Sequence, residues 1–116
     1  MKNILVINND FDTMSLLKSW LEKKGYRVKF TGNHDKAIQL LKEFNPALII
    51  IDILQGPLVR AIKSHKEFDI PMLLMTGYTS RSVDRNLPVD DMIEKPFDLA
   101  LFEKKIKKLL QNNVEA

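Results

Sequence analysis

The sequence contains no cysteine among its 116 residues. Disulfide bonds and thiolate metal sites are therefore excluded, and the fold must be stabilised by the packing of its side chains. The absence of cysteine fits a reducing compartment, so we expect a cytoplasmic protein.

Long hydrophobic runs are also absent. The N-terminal apolar run covers only residues 4–7, which is far shorter than a membrane span or the apolar part of a signal peptide. We therefore expect a protein that has no membrane partner.

A strong excess of one charge is lacking too, since the net charge is only +3. Much of this excess comes from four lysines in a predicted C-terminal helix, namely Lys104, Lys105, Lys107 and Lys108. A solvated helix face explains these lysines better than a nucleic-acid patch does, because the chain shows no helix-turn-helix and no aromatic platform. No direct contact with nucleic acid is expected.

Glycine and proline are scarce, at four and five residues, while 45% of the residues are hydrophobic. This composition is typical of a globular domain and not of a disordered or fibrous chain. The length suits one hydrophobic core. We predict a single domain over residues 1–116, with a core from about 2 to 111 and a short C-terminal tail at 112–116.

Five short apolar runs predict β-strands, at residues 4–7, 27–31, 48–51, 72–75 and 92–93. Such continuous runs suit strands that are buried on both faces of a parallel sheet. Apolar residues at helical spacing lie between and after the strands and predict amphipathic helices, of which the fourth, within residues 80–86, has the weakest pattern. Alternating strands and helices form right-handed βαβ units, so five of each predict an α/β doubly wound three-layer sandwich.

Three polar residues fall at the ends of three predicted strands, namely Asp52, Thr76 and Lys95. Each one alone is typical of an ordinary loop, strand end or solvated surface. In a doubly wound fold, however, the carboxyl ends of the strands border one crevice. There the three side chains would supply a carboxylate nucleophile, a hydroxyl donor and a cation for the oxygens of a transferred phosphoryl group.

Four segments in order resemble the receiver domain of two-component response regulators, namely residues 4–10 (ILVINND), 46–52 (PALIIID), 71–77 (PMLLMTG) and 95–97 (KPF). The resemblance covers nearly the whole chain. It implies a flavodoxin-like (βα)5 fold with a parallel five-stranded sheet in the order 2-1-3-4-5, an order taken from the receiver among the known examples of this fold. It also implies a cis peptide between Lys95 and Pro96.

The resemblance implies that Asp52 accepts a phosphoryl group from a sensor histidine kinase or a phosphotransfer protein. It also implies that Thr76 and Lys95 bind the phosphoryl oxygens. An output protein or domain would then read the phosphorylated state. Such a chain is not an enzyme, beyond phosphorylating and dephosphorylating itself at Asp52.

The chain departs from the family at the metal site, because Asn8 and Asn9 stand where receivers carry an acidic pair. The family pattern implies Mg²⁺ ligands at Asn9, Asp10, Asp52 and the backbone carbonyl of Leu54. Mg²⁺ relies on carboxylate ligands, so the amides predict weak or absent binding. Asp10 could compensate by turning inward, but it is more readily explained as the N-cap of the first helix.

A second departure concerns the residue that relays the signal. Met92 stands where receivers carry a Tyr or Phe that rotates inward, and it has no ring to switch between two positions. Tyr78 is the candidate mobile aromatic in its place. The third and fourth helices are also shorter than is usual in the family.

Two functions fit these residues. Asp52, Thr76 and Lys95 favour a receiver that is phosphorylated at Asp52, whereas the paired asparagines and Met92 favour a pseudo-receiver that binds proteins without phosphorylation. A flavodoxin is disfavoured, because it needs a Ser/Thr/Gly-rich phosphate loop where residues 8–12 read NNDFD.

Overall fold

The structure, a computed structural model, describes residues 2–52, 56–65, 67–76, 88–94 and 98–114. Strands and helices alternate along most of the chain. Their bounds are β1 (Asn3–Ile7), α1 (Phe11–Lys23), β2 (Arg27–Thr31), α2 (His34–Glu43), β3 (Leu48–Asp52), α3 (Gly56–Ser64), β4 (Met72–Thr76), β5 (Asp91–Glu94) and α4 (Leu99–Val114).

The five strands form one sheet in the order β2-β1-β3-β4-β5, and each neighbouring pair is parallel. β1 lies inside the sheet and pairs on one side with β2, which is one edge strand. On the other side of β1 lie β3, β4 and β5, and β5 is the other edge strand. This order confirms the predicted flavodoxin-like architecture. A reversal of this kind creates a crevice at the carboxyl ends of the central strands β1 and β3.

Helices cover both faces of the sheet, as the continuous apolar strands predict. Ile4 and Val6 face α1 and α4, whereas Leu5 and Ile7 face α2 and α3, so successive residues of β1 point into two separate cores. Both β3 and β4 are buried along their whole length. Their burial fixes the position of the polar residues that end them.

Local capping sets where the helices begin and end. Asn33 accepts a hydrogen bond from the N–H of Lys36 and caps α2, and Asp98 accepts one from the N–H of Ala100 at the start of α4. Gly25, with φ 95°, ends α1 in the left-handed conformation that glycine adopts most readily. These three positions mark the end of α1 and the starts of α2 and α4.

Several boundaries differ from the sequence-based ones. β3 and β4 each extend one residue further, because Asp52 pairs with Met75 and Thr76 pairs with Glu94 in the parallel ladders. α4 continues through residues 112–114, which the sequence pattern places in a tail. The predicted fourth helix, within residues 80–86, lies outside the described residues. No helix in the described part of the chain is both long and apolar enough to cross a membrane.

Candidate functional site

The candidate site lies at the carboxyl ends of the parallel strands, where the neighbouring strands β3 and β4 end in polar side chains. Asp52 is the last residue of β3 and Thr76 is the last residue of β4. Their exposures are only 8% and 5%, because each ends a strand that is buried along its whole length. The sheet therefore holds a carboxylate and a hydroxyl at the same edge, in a setting that is largely closed to water.

Asn8, the residue after β1, completes the buried part of this site. It is 2% exposed, and its backbone N–H donates to the carbonyl of Thr31 over 3.0 Å. The side-chain Nδ2 donates to Oδ2 of Asp52 over 3.4 Å. Sequence reasoning treated Asn8 only as a lost metal ligand and missed this donor role, although an amide directly after a central strand is a visible signal.

Asn9 takes a different direction from Asn8. It is exposed, and its Oδ1 lies so close to Gly32 that a Cβ on that glycine would overlap it. The same Cβ would stand 3.0 Å from the backbone oxygen of Asn8. Asn9 therefore packs against the turn after β2, and only glycine fits opposite it without a shift.

Asp10 caps α1. Its Oδ1 accepts from the N–H groups of Asp12 and Thr13 over 3.1 and 3.4 Å, and its Oδ2 accepts from the Thr13 hydroxyl over 2.6 Å. The capping role is thus confirmed. A further role as a metal ligand stays a prediction, but both carboxylate oxygens are already engaged by the first turn of the helix.

The donor set fits Mg²⁺ poorly. Within the described ranges, no group of three or more His, Cys, Asp or Glu side chains could hold a metal ion. At the site itself, Asp52 meets an amide N–H donor from Asn8, whereas Mg²⁺ requires oxygen ligands in near-octahedral geometry. Leu54, Lys95 and Tyr78, the other predicted site residues, lie outside the described residues.

Met92 lies in the middle of β5, beside Leu74 of β4. Its side chain is half-buried and packs on the core that α2 and α3 cover. The residue is therefore adjacent to the strand that ends in Thr76. The altered switch role of Met92 stays a prediction.

Comparison with known proteins identifies the family. The family model described as "Response regulator receiver domain" matches residues 4–107. The chain is 27% identical to "Transcriptional regulatory protein CpxR homolog" of Haemophilus influenzae over 97% of its own length and 52% of that protein. It is also 27% identical to "Transcriptional regulatory protein SrrA" of Staphylococcus aureus, over 93% of its length and 47% of that protein. The chain thus spans about half the length of these curated relatives.

A solved structure agrees with the family match. The signal receiver domain of a signal transduction histidine kinase from Syntrophus aciditrophicus superposes with a TM-score of 0.87 at 26% identity, over 97% of this chain and 92% of that one. The sheet order, the buried acidic strand end and the match over residues 4–107 point the same way. The chain belongs to the receiver domains of two-component response regulators.

Proposed function

We propose that Asp52 is the phosphoacceptor of this receiver domain and takes its phosphoryl group from a phosphohistidine on a sensor histidine kinase or a phosphotransfer protein. The observation that carries this proposal is the buried carboxylate at the end of β3, whose neighbouring strand β4 ends in the buried Thr76. Family membership supports it, because a phosphoacceptor aspartate is what the resemblance implies at this position.

The chemistry requires one bond to form and one to break. An Oδ atom of Asp52 attacks phosphorus, the N–P bond of the phosphohistidine breaks, and the imidazole leaves with the bonding electron pair and takes up a proton. The transferred group carries negative charge on three oxygens, so catalysis rests on positioning and on charge stabilisation. The Thr76 hydroxyl is suited to donate to one of these oxygens, and the Lys95 ammonium to neutralise another.

Weak Mg²⁺ binding is part of the proposal. Receiver domains normally bind Mg²⁺, which when bound offsets the repulsion between the acceptor carboxylate and the phosphoryl oxygens. In this chain Asn8 and Asn9 replace two carboxylates, and Asp10 is engaged in capping α1. We therefore expect phosphorylation to be slow and less dependent on Mg²⁺ than in a receiver with an acidic pair.

A second candidate is a phosphorylation-independent module that binds proteins. It is favoured by the amide that engages Asp52 directly and by Met92 in place of an aromatic switch. The output partner would in either case be a protein or a further domain. Direct contact with nucleic acid is not expected from this domain, although the curated relatives named above are called transcriptional regulators.

Incubation with acetyl phosphate, a small phosphoryl donor, followed by mass spectrometry of the intact protein tests the proposal. We expect a mass increase of one phosphoryl group, and none in Asp52→Asn. Thr76→Ala should slow the reaction by roughly a hundredfold, as loss of one transition-state donor does in enzymes, while Thr76→Ser should keep most of the rate. An unmodified parent protein would leave the binding module as the better explanation.

A further inference from the structure

The amide of Asn8 has only one orientation that fits its surroundings. Its Oδ1 accepts the backbone N–H of Asp10 over 2.7 Å, and an amide nitrogen could not accept that hydrogen bond. The Nδ2 group must therefore point the other way, toward Oδ2 of Asp52. The orientation is set by the backbone and not by the acceptor carboxylate.

A carboxylate in place of this amide would reverse the interaction with Asp52. The two side chains approach to 3.4 Å, both residues are buried, and two carboxylates that share a site repel each other. In a metal-binding receiver the cation offsets that repulsion. Here the N–H donor of Asn8 faces the negative charge directly, although the contact is longer than the usual range of about 2.7–3.2 Å.

Asn8 also connects the acceptor to a helix. The Asp10 N–H that orients the amide belongs to the residue that caps α1. Hydrogen bonds therefore connect Asp52 to Asn8 and Asn8 to the backbone N–H of Asp10, whose side-chain carboxylate accepts from the Thr13 hydroxyl in the first turn. These contacts link the Asp52 carboxylate to the N-terminal end of α1.

We infer that Asn8 is a positioning residue, which holds the Asp52 carboxylate in place without a divalent cation, so that the metal-free pocket is the stable state of this domain. The inference rests on the proposed function only in taking Asp52 as the acceptor. It goes beyond weak metal binding, because it assigns to Asn8 the electrostatic task that a metal ion performs in the family.

Exchanging the two side chains tests this inference. The free energy of unfolding is measured by urea denaturation, in EDTA and in Mg²⁺, for the parent, Asn8→Asp, Asp52→Asn and the double variant. In EDTA, Asn8→Asp should lower the folding equilibrium constant by about tenfold or more, because it sets two carboxylates against each other. The double variant restores one amide and one carboxylate in reversed positions, so it should recover most of that loss.

Mg²⁺ provides the second readout. It should stabilise Asn8→Asp, since a cation that binds only the folded state raises its stability, and should leave the parent nearly unchanged. Asn9→Asp is the matched control: it adds the same charge one residue away, on an exposed side chain, and should cost much less in EDTA.

Three outcomes would overturn the inference. The first is that Asn8→Asp is as stable as the parent in EDTA, and the second is that the double variant is no more stable than Asn8→Asp. The third is that Mg²⁺ stabilises the parent as much as it stabilises Asn8→Asp. If Asn8→Asp does not fold in EDTA, the double variant decides, because folding supports the inference and failure to fold overturns it. No phosphoryl donor is present, so a failure of Asp52 to become phosphorylated would not affect the result.

Discussion

Asp10 is the residue where a local role and a functional role compete. The family pattern makes it a possible replacement for the missing acidic pair, yet its carboxylate accepts three hydrogen bonds from Asp12 and Thr13. A side chain that turned toward Asp52 would leave these donors to water. These contacts assign Asp10 to the N-terminus of α1, and a role as a metal ligand stays a prediction.

Two substitutions at Asp10 separate these roles. Asp10→Asn keeps an N-cap oxygen and should change the free energy of unfolding little, whereas Asp10→Ala should lower it by about 1 kcal/mol, as is usual for loss of an N-cap. Urea denaturation measures both. Calorimetric titration with Mg²⁺ completes the comparison: an Asp10→Asn variant that binds Mg²⁺ much more weakly than the parent would show that the carboxylate is a ligand.

At the scale of secondary structure, α4 is held to the fold by more than its buried face. Its Phe102 ring stacks on Trp20 of α1, with centroids 5.5 Å apart. Glu103 pairs with Lys24 at the end of α1 over 3.0 Å, and Lys105 contacts both carboxylate oxygens of Asp91 in β5 over 3.0 and 3.1 Å. These contacts connect α4 to α1 and to β5.

The ion pair between α1 and α4 should give a pH dependence of known sign. The hydrogen bond from Lys24 lowers the pKa of Glu103 below its ordinary value of 4.5; partial desolvation opposes this, and the charges of Lys24 and Lys107 add to the lowering. A lowered pKa contributes stability that is present above the ordinary pKa and is lost as the pH falls through the folded-state pKa. Because the pair is close to solvent, the contribution is small.

Glu103→Gln should therefore be slightly less stable than the parent at neutral pH, with a difference that shrinks as the pH falls below the ordinary pKa of 4.5 and through the lowered pKa of Glu103. Urea denaturation over a pH series checks this. Glu22→Gln, on the exposed side of α1, serves as the control and should show a much smaller difference at neutral pH. A Glu103→Gln deficit that persisted unchanged in acid would contradict the ion-pair explanation.

At the scale of the whole molecule, signalling requires that phosphorylation of Asp52 changes the surface that the output partner contacts. The resemblance implies signalling through the predicted fourth helix, which lies outside the described residues, and through the last strand and last helix, here β5 and α4, when an aromatic side chain fills the space behind the threonine. Met92 stands at that position without a ring, and it packs on the core under α2 and α3. A ligand shifts an equilibrium only by its difference in affinity for the two states, so loss of the coupling side chain should weaken the relay.

We predict that loading Asp52 with beryllofluoride, a phosphoryl mimic, shifts the amide resonances near Asp52 and Thr76 but barely those of α4. Two-dimensional amide spectra before and after loading give the measurement, and Asp52→Asn is the control that should not respond. Large shifts spread along α4, absent from Asp52→Asn, would instead establish an ordinary phosphorylation switch.

Local signals in the sequence are sufficient to predict the alternating strands and helices, whereas the strand order was implied by the resemblance to receivers. The continuous apolar runs of β3 and β4 indicate strands that are buried on both faces of the sheet. Helix ends are marked by Asp10, Asn33 and Gly25 through contacts with residues a few positions away. Since parallel strands place their carboxyl ends together, Asp52 and Thr76 could be assigned to one edge before any coordinates were known.

The roles of the neighbouring polar side chains depend on contacts between residues that are distant in the chain. Asn8 and Asn9 are identical in the sequence, yet one is buried against Asp52, 44 residues away in the chain, and the other is exposed beside Gly32. Asn8 directly follows β1 and Asn9 lies at a bend, and the packing of β2 and β3 around β1 sets what each one meets. The sequence shows an amide directly after a central strand, but the contact of that amide with the acceptor carboxylate depends on the packing of strands that are distant in the chain.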